Sequence, residues 1–225
     1  MKTSFKTLFI LIAFSVAMGF LETAVVVYLR NIYYPEGFHL PLKVIDPHIA
    51  LVEILREAAT LMMLISIAML TGKSSIQRFA FFLLCFGIWD LFYYVFLKVF
   101  LNWPASLLDG DVLFLIPLPW IGPVLAPCIL SLTMMLVALV FLKKENILSE
   151  SGIGWKNILL MITGSCIVIY SFIMDYKDYV QVDSKTASVF KSEIHEYNWR
   201  VFITGELLIL IPVLLMTVRK SNERR

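Results

Sequence analysis

The sequence predicts an all-α, polytopic integral membrane protein: a bundle of six transmembrane helices, N- and C-termini cytoplasmic, with the fourth span broken by proline. Three observations lead there. The 225 residues are 60% hydrophobic and 16% charged, with a mean hydropathy of +0.83, too apolar for a soluble domain of this length. Apolar runs near the roughly 20 residues that cross a hydrocarbon core recur six times, at about 7–30, 48–71, 79–100, 112–142, 156–174 and 198–218. Lysine and arginine are unevenly divided between alternate loops. With the N-terminus inside, eleven fall in the shorter inner segments and seven in the longer outer ones, and the positive-inside rule places both termini in the cytoplasm. The chain then reads as one transmembrane domain in the cytoplasmic (plasma) membrane.

The first span begins like a secretory signal, with Lys2 and Lys6, an apolar run and a small-x-small site at Ser15-Val16-Ala17. The apolar run continues to Leu29, which favours an uncleaved helix. Ser15, Met18, Gly19 and Glu22 give this span a face of small residues that lets another helix approach. In the second span Glu53, Arg56, Glu57 and Thr60 follow i, i+3, i+4, i+7 and share one face. Gly87, Asp90 and Tyr94 do the same on the third.

The fourth run is overlong. It opens on Asp109-Gly110-Asp111 and carries Pro117, Pro119, Pro123 and Pro127, and four prolines in eleven residues do not make a regular helix. Irregular backbone at membrane depth is tolerated where it lines a cavity, so this stretch is expected to wall a site. The fifth and sixth spans are plainer, apart from Glu206 in the sixth. Between them, 175–197 is polar and reads as a solvated connection. Tyr28, Tyr33, Tyr34, Trp103, Trp120, Tyr197 and Trp199 read as an interfacial belt, and the basic tail from Arg219 as an anchor to anionic lipid. Cys85, Cys128 and Cys166 sit singly in three spans without a C-x-x-C, so they read as core residues rather than a redox pair.

Five acids therefore lie inside spans: Glu22, Glu53, Glu57, Asp90 and Glu206. A carboxylate at the centre of a bilayer costs about 2.5–3.5 kcal/mol on insertion scales, so it persists when paired, protonated, metal-bound or facing water. Counted inward from the outer ends of their spans, Glu22, Glu57, Asp90 and Glu206 lie 8–10 residues deep, about 12–15 Å at the helical rise. A common depth predicts one cavity in the outer half, with Glu53 one turn shallower.

Glu22, Glu53, Arg56, Glu57, Asp90 and Glu206 are the candidate catalytic set. Five carboxylates against Arg56 leave a formal charge of −4, which two divalent ions would cancel. Carboxylates with a few imidazoles suit iron, manganese or zinc, so Glu22, Glu53, Glu57, Asp90, Glu206, His48 and His195 are the candidate metal ligands, with His39 also on the outer side. Glu-x-x-His and His-Glu-x-x-His motifs are absent. The Glu53-x-x-x-Glu57 pair superficially resembles acidic motifs of membrane phosphatases and prenyl-protein proteases, yet the phosphate loop and the Glu-Glu with intramembrane His that those classes need are missing. Histidine boxes, a P-loop and a dinucleotide fingerprint are missing too.

Three functions fit. The first is a membrane enzyme, metal-dependent in one version, acting on a lipid or small apolar substrate through the buried acids. The second is a proton- or cation-coupled transporter or channel. The third is a non-catalytic membrane partner or assembly protein whose acids pair with Arg56 and hydroxyls. Nucleic acid is not an expected partner of any of them.

Overall fold

The computed structural model describes residues 4–38, 46–174 and 197–218. Six long apolar helices run through it: α1 (Phe5–Tyr33), α2 (Pro47–Thr71), α3 (Ser75–Leu101), α4 (Leu125–Lys143), α6 (Trp155–Ile173) and α7 (Trp199–Val218). A short helix, α5 (Glu145–Ser151), joins α4 to α6, and a β-hairpin of β1 (Gly110–Phe114) and β2 (Trp120–Pro123) separates α3 from α4. The chain is a multi-pass membrane protein by these six helices.

Local chemistry sets the helix ends. Asp46 caps α2 by accepting the His48 and Ile49 backbone N–H groups at 2.8 and 3.4 Å, with Pro47 at the first helical position. Ser74 accepts the Gln77 N–H at the start of α3. Asn102 ends α3 in the left-handed region, at φ 51°, a conformation that asparagine tolerates better than most residues. Lys98 donates to the Asn102 and Pro104 carbonyls there. This places a cation on the orphan carbonyl end of the helix.

The hairpin corrects two expectations. The fold is not purely helical, and the fourth span is not proline-broken. Gly110 pairs with Pro123, Asp111 with Gly122, Val112 with Ile121 and Phe114 with Trp120 in an antiparallel ladder. Pro117 and Pro119 lie in the turn between the strands, and Pro123 ends β2. Pro127 falls in the first turn of α4, where its missing N–H would have had no partner anyway. The spanning helix starts at Leu125, thirteen residues later than the apolar run. Among the described residues, a proline sits inside a helix at Pro212, in α7.

The helix α3 lies at the centre, packed against α1, α2 and α4, while α6 pairs with α7. Close approach is built with glycine. A Cβ on Gly19 would sit 2.9 Å from the Trp89 carbonyl oxygen, and one on Gly164 would sit 2.6 Å from the Gly205 carbonyl oxygen. Lipid is as apolar as these side chains, so van der Waals packing and interhelical hydrogen bonds, rather than hydrophobic transfer, hold such helices together. The largest core cluster, including Phe141, Phe172 and Phe202, joins α3, α4, α6 and α7, and a second, around Leu11, Leu64, Phe81 and Trp89, joins α1, α2 and α3. At the end away from the hairpin, Glu145 of α5 accepts from Ser74 and from Gln77, both at 2.8 Å.

Candidate functional site

The hairpin closes one end of the bundle by reaching three helices. Trp120 stacks on Phe172 of α6 with centroids 5.9 Å apart and planes 13° apart. The Leu115 N–H, just past β1, donates to Glu57 Oε2 of α2 at 2.9 Å. Asp111 Oδ1 meets Arg30 Nη2 of α1 at 3.0 Å. The Asp-Gly-Asp motif thus has two separate duties, since Asp109 accepts the Ala105 and Ser106 N–H groups and shapes the turn before β1.

The Arg30–Asp111 pair is buried, with side chains 8% and 3% exposed. The Arg30 guanidinium also lies 4.3 Å from the Phe38 ring centroid and 3.8 Å from that of Trp103. Two aromatic faces and a carboxylate replace the water a buried guanidinium loses. Burial pushes the Asp111 carboxyl above its ordinary range, and Arg30 pulls against that shift.

Beneath the hairpin lies a cavity of about 160 Å³ whose walls are mostly apolar but carry a cluster of charged side chains. Helix α1 lines it with Glu22, Val26, Leu29, Arg30 and Tyr33, α2 with Glu53, Arg56 and Glu57, α3 with Trp89, Asp90 and Tyr93, and the hairpin with 111–115. Arg56 bridges the first two walls. Its Nη1 donates to Glu22 Oε2, and its Nε and Nη2 lie 2.9 and 2.8 Å from Glu53 Oε2. Asp90 Oδ2 accepts from Ser131 of α4 at 2.6 Å. Four of the five expected acids thus border one cavity.

Glu206 does not border it. It lies on the α4 side of α7, accepting from Thr133 at 2.6 Å, and its Oε1 is buried without a hydrogen bond among the described residues. Counting residues from a span end gives depth but not the direction a helix face points, and here the two diverge. Sequence reasoning missed Arg30 as a cavity residue, and it expected the stretch from Asp109 to wall the site without singling out Asp111. A signal existed for Arg30, because Glu22, Val26 and Arg30 follow i, i+4, i+8 on one helix face.

The expected metal centre is not supported. Among the described residues, no group of three or more His, Cys, Asp or Glu side chains comes together as a ligand set. The guanidinium of Arg56 fills the space between Glu22 and Glu53, while Glu57, Asp90 and Glu206 each turn to a different hydrogen-bond donor. His48 is exposed at the start of α2, and His39 and His195 lie outside the described residues.

An apolar groove of about 430 Å³ adjoins the cavity. Leu61 of α2, Phe79, Leu83 and Phe86 of α3, Leu130, Met134 and Val137 of α4, and Met161, Val168 and Phe172 of α6 line it, with Trp120 at the hairpin. Cavity and groove share Trp89, Asp90, Leu113 and Phe114. Asp90 therefore stands where the charged compartment gives way to the oily one. No family model, curated protein or solved structure matches this chain.

Proposed function

We propose that this chain is a membrane enzyme that takes an amphipathic, lipid-like substrate from the bilayer and acts by general acid–base catalysis at the junction between polar head and apolar chain. The observation that carries this reading is the wall shared by a charged cavity and an apolar groove. A molecule with its head in one and its chain in the other presents its linkage to Asp90. Ser131 steadies one oxygen of that carboxyl at 2.6 Å, and the other takes no hydrogen bond among the described residues, leaving it to exchange a proton with the substrate. Arg56, fixed by Glu22 and Glu53, and Glu57, fixed by Leu115, orient the head. With the termini inside, the cavity opens to the outer leaflet.

The test is mass spectrometry of lipids that copurify with the protein, and of products formed when the wild type and Asp90→Asn are each given a total lipid extract. A bound amphiphile in both proteins, with a product formed only by the wild type, is the expected result. Identical product pools from the two, or no bound amphiphile, would overturn the reading.

A further inference from the structure

The charge balance of the cavity points to the kind of head it takes. Five carboxylates and two guanidinium groups line it. Arg56 is engaged by Glu22 and Glu53, and Arg30 by Asp111. Glu57 and Asp90 remain without a cation among the described residues. Glu57 is 6% exposed; its Oε2 holds the Leu115 N–H, while its Oε1 takes no hydrogen bond among the described residues. One of its oxygens is thus held by the backbone, and the side chain lines the cavity.

We infer that the cavity recognises a cationic head, an amine or quaternary ammonium group, seated between Glu57 and Asp90; this rests on the amphiphile reading above. An anionic head would add charge of the sign already in excess. A neutral head would leave both acids either to carry a proton or to stand as unpaired charge, which is costly at membrane depth. The remaining walls are aromatic, with Tyr33, Phe38, Trp89 and Tyr93 among them, and aromatic faces beside carboxylates are the surroundings that ammonium groups favour. Size agrees, because about 160 Å³ is close to the roughly 150 Å³ of an engineered cavity that holds benzene. A compact ammonium fits such a space.

The experiment is calorimetric binding to the full chain in maltoside micelles, whose heads are uncharged, using dodecyltrimethylammonium, dodecanol and dodecanoate, with tetramethylammonium as a headgroup without a chain. A buried charge-assisted contact predicts that the long-chain ammonium binds about tenfold or more tighter than the alcohol. Dodecanoate should bind weakest, and tetramethylammonium should compete only weakly. Glu57→Gln and Asp90→Asn should each remove most of the ammonium preference; should either fail to fold, the headgroup ranking and salt dependence of the wild type still decide. Equal affinities for ammonium and alcohol, or a preference for carboxylate, would overturn the cationic head while leaving the amphiphile site standing. Tetramethylammonium binding as tightly as the long-chain form would show a free cation to be the ligand and overturn the lipid amine. Saturable binding of none of the four would remove both proposals.

Discussion

The α1–α2–α3 side and the α6–α7 side of the bundle solve the same problem in opposite ways. Helices α6 and α7 meet through glycines so close that a methyl on Gly164 would overlap the Gly205 backbone, and the interface is held by packing. Across the molecule, α1 and α2 face each other through Arg56 and its two carboxylates, around an open cavity. One side closes its own helix–helix interface by packing. The other keeps polar space at membrane depth, where such space is costly unless used. The contrast teaches that position within a span says little about purpose: Glu206 and Asp90 were counted to similar depth from the sequence and each accepts from one hydroxyl, yet only Asp90 borders the cavity.

The largest effect is expected where charge is most buried. Arg30→Met should lower stability by about 3–5 kcal/mol, because Asp111 is left buried without its partner, and adding Asp111→Leu should restore most of that loss. Thermal unfolding in detergent, run as a double-mutant cycle, reads both numbers; a double variant as unstable as the single one would show that the pair matters through shape rather than charge. Next comes the scaffold side. Gly205→Val forces α6 and α7 apart and should cost about 1–3 kcal/mol by overpacking, without altering which headgroup binds.

Arg56→Gln should cost less than Arg30→Met, about 2 kcal/mol, since its side chain is 21% exposed and water screens the two carboxylates it leaves behind. Its mark should be larger on ligand binding than on unfolding temperature, and the reverse order would make Arg56 a scaffold residue. The smallest structural effect belongs to Glu57→Gln, whose amide oxygen can still accept the Leu115 N–H. A stability change under about 1 kcal/mol with loss of ammonium preference would sharpen the division between the two sides.

The six helices were legible because the length of an apolar run is set by membrane thickness, and five of the six runs match helix bounds to within a few residues. The hairpin was not. Val112, Leu113, Phe114, Leu115 and Ile116 are as apolar as any spanning residue, and apolarity does not tell a strand buried under a bundle from the start of a helix. Its prolines announced irregularity without saying that the span began only after them. Arg56 was expected beside the acids, though not which two it would hold, whereas the Arg30–Asp111 pair joins residues 81 apart and depends on where the hairpin folds. Arg30 therefore read as a loop cation counted for topology. Histidines on the outer side suggested metal ligands, but His48 stays at the surface, where Asp46 holds its backbone N–H and its ring is exposed.

The stacking of Arg30 on Trp103 has an optical consequence. An indole under a guanidinium emits with an intensity and wavelength that depend on that cation staying in place. The chain contains five tryptophans, so the difference spectrum between the wild type and Trp103→Phe isolates this one. Because Asp111 of the hairpin holds the guanidinium from its other side, the Trp103 signal gives a label-free readout of whether the hairpin remains seated when a ligand enters below it.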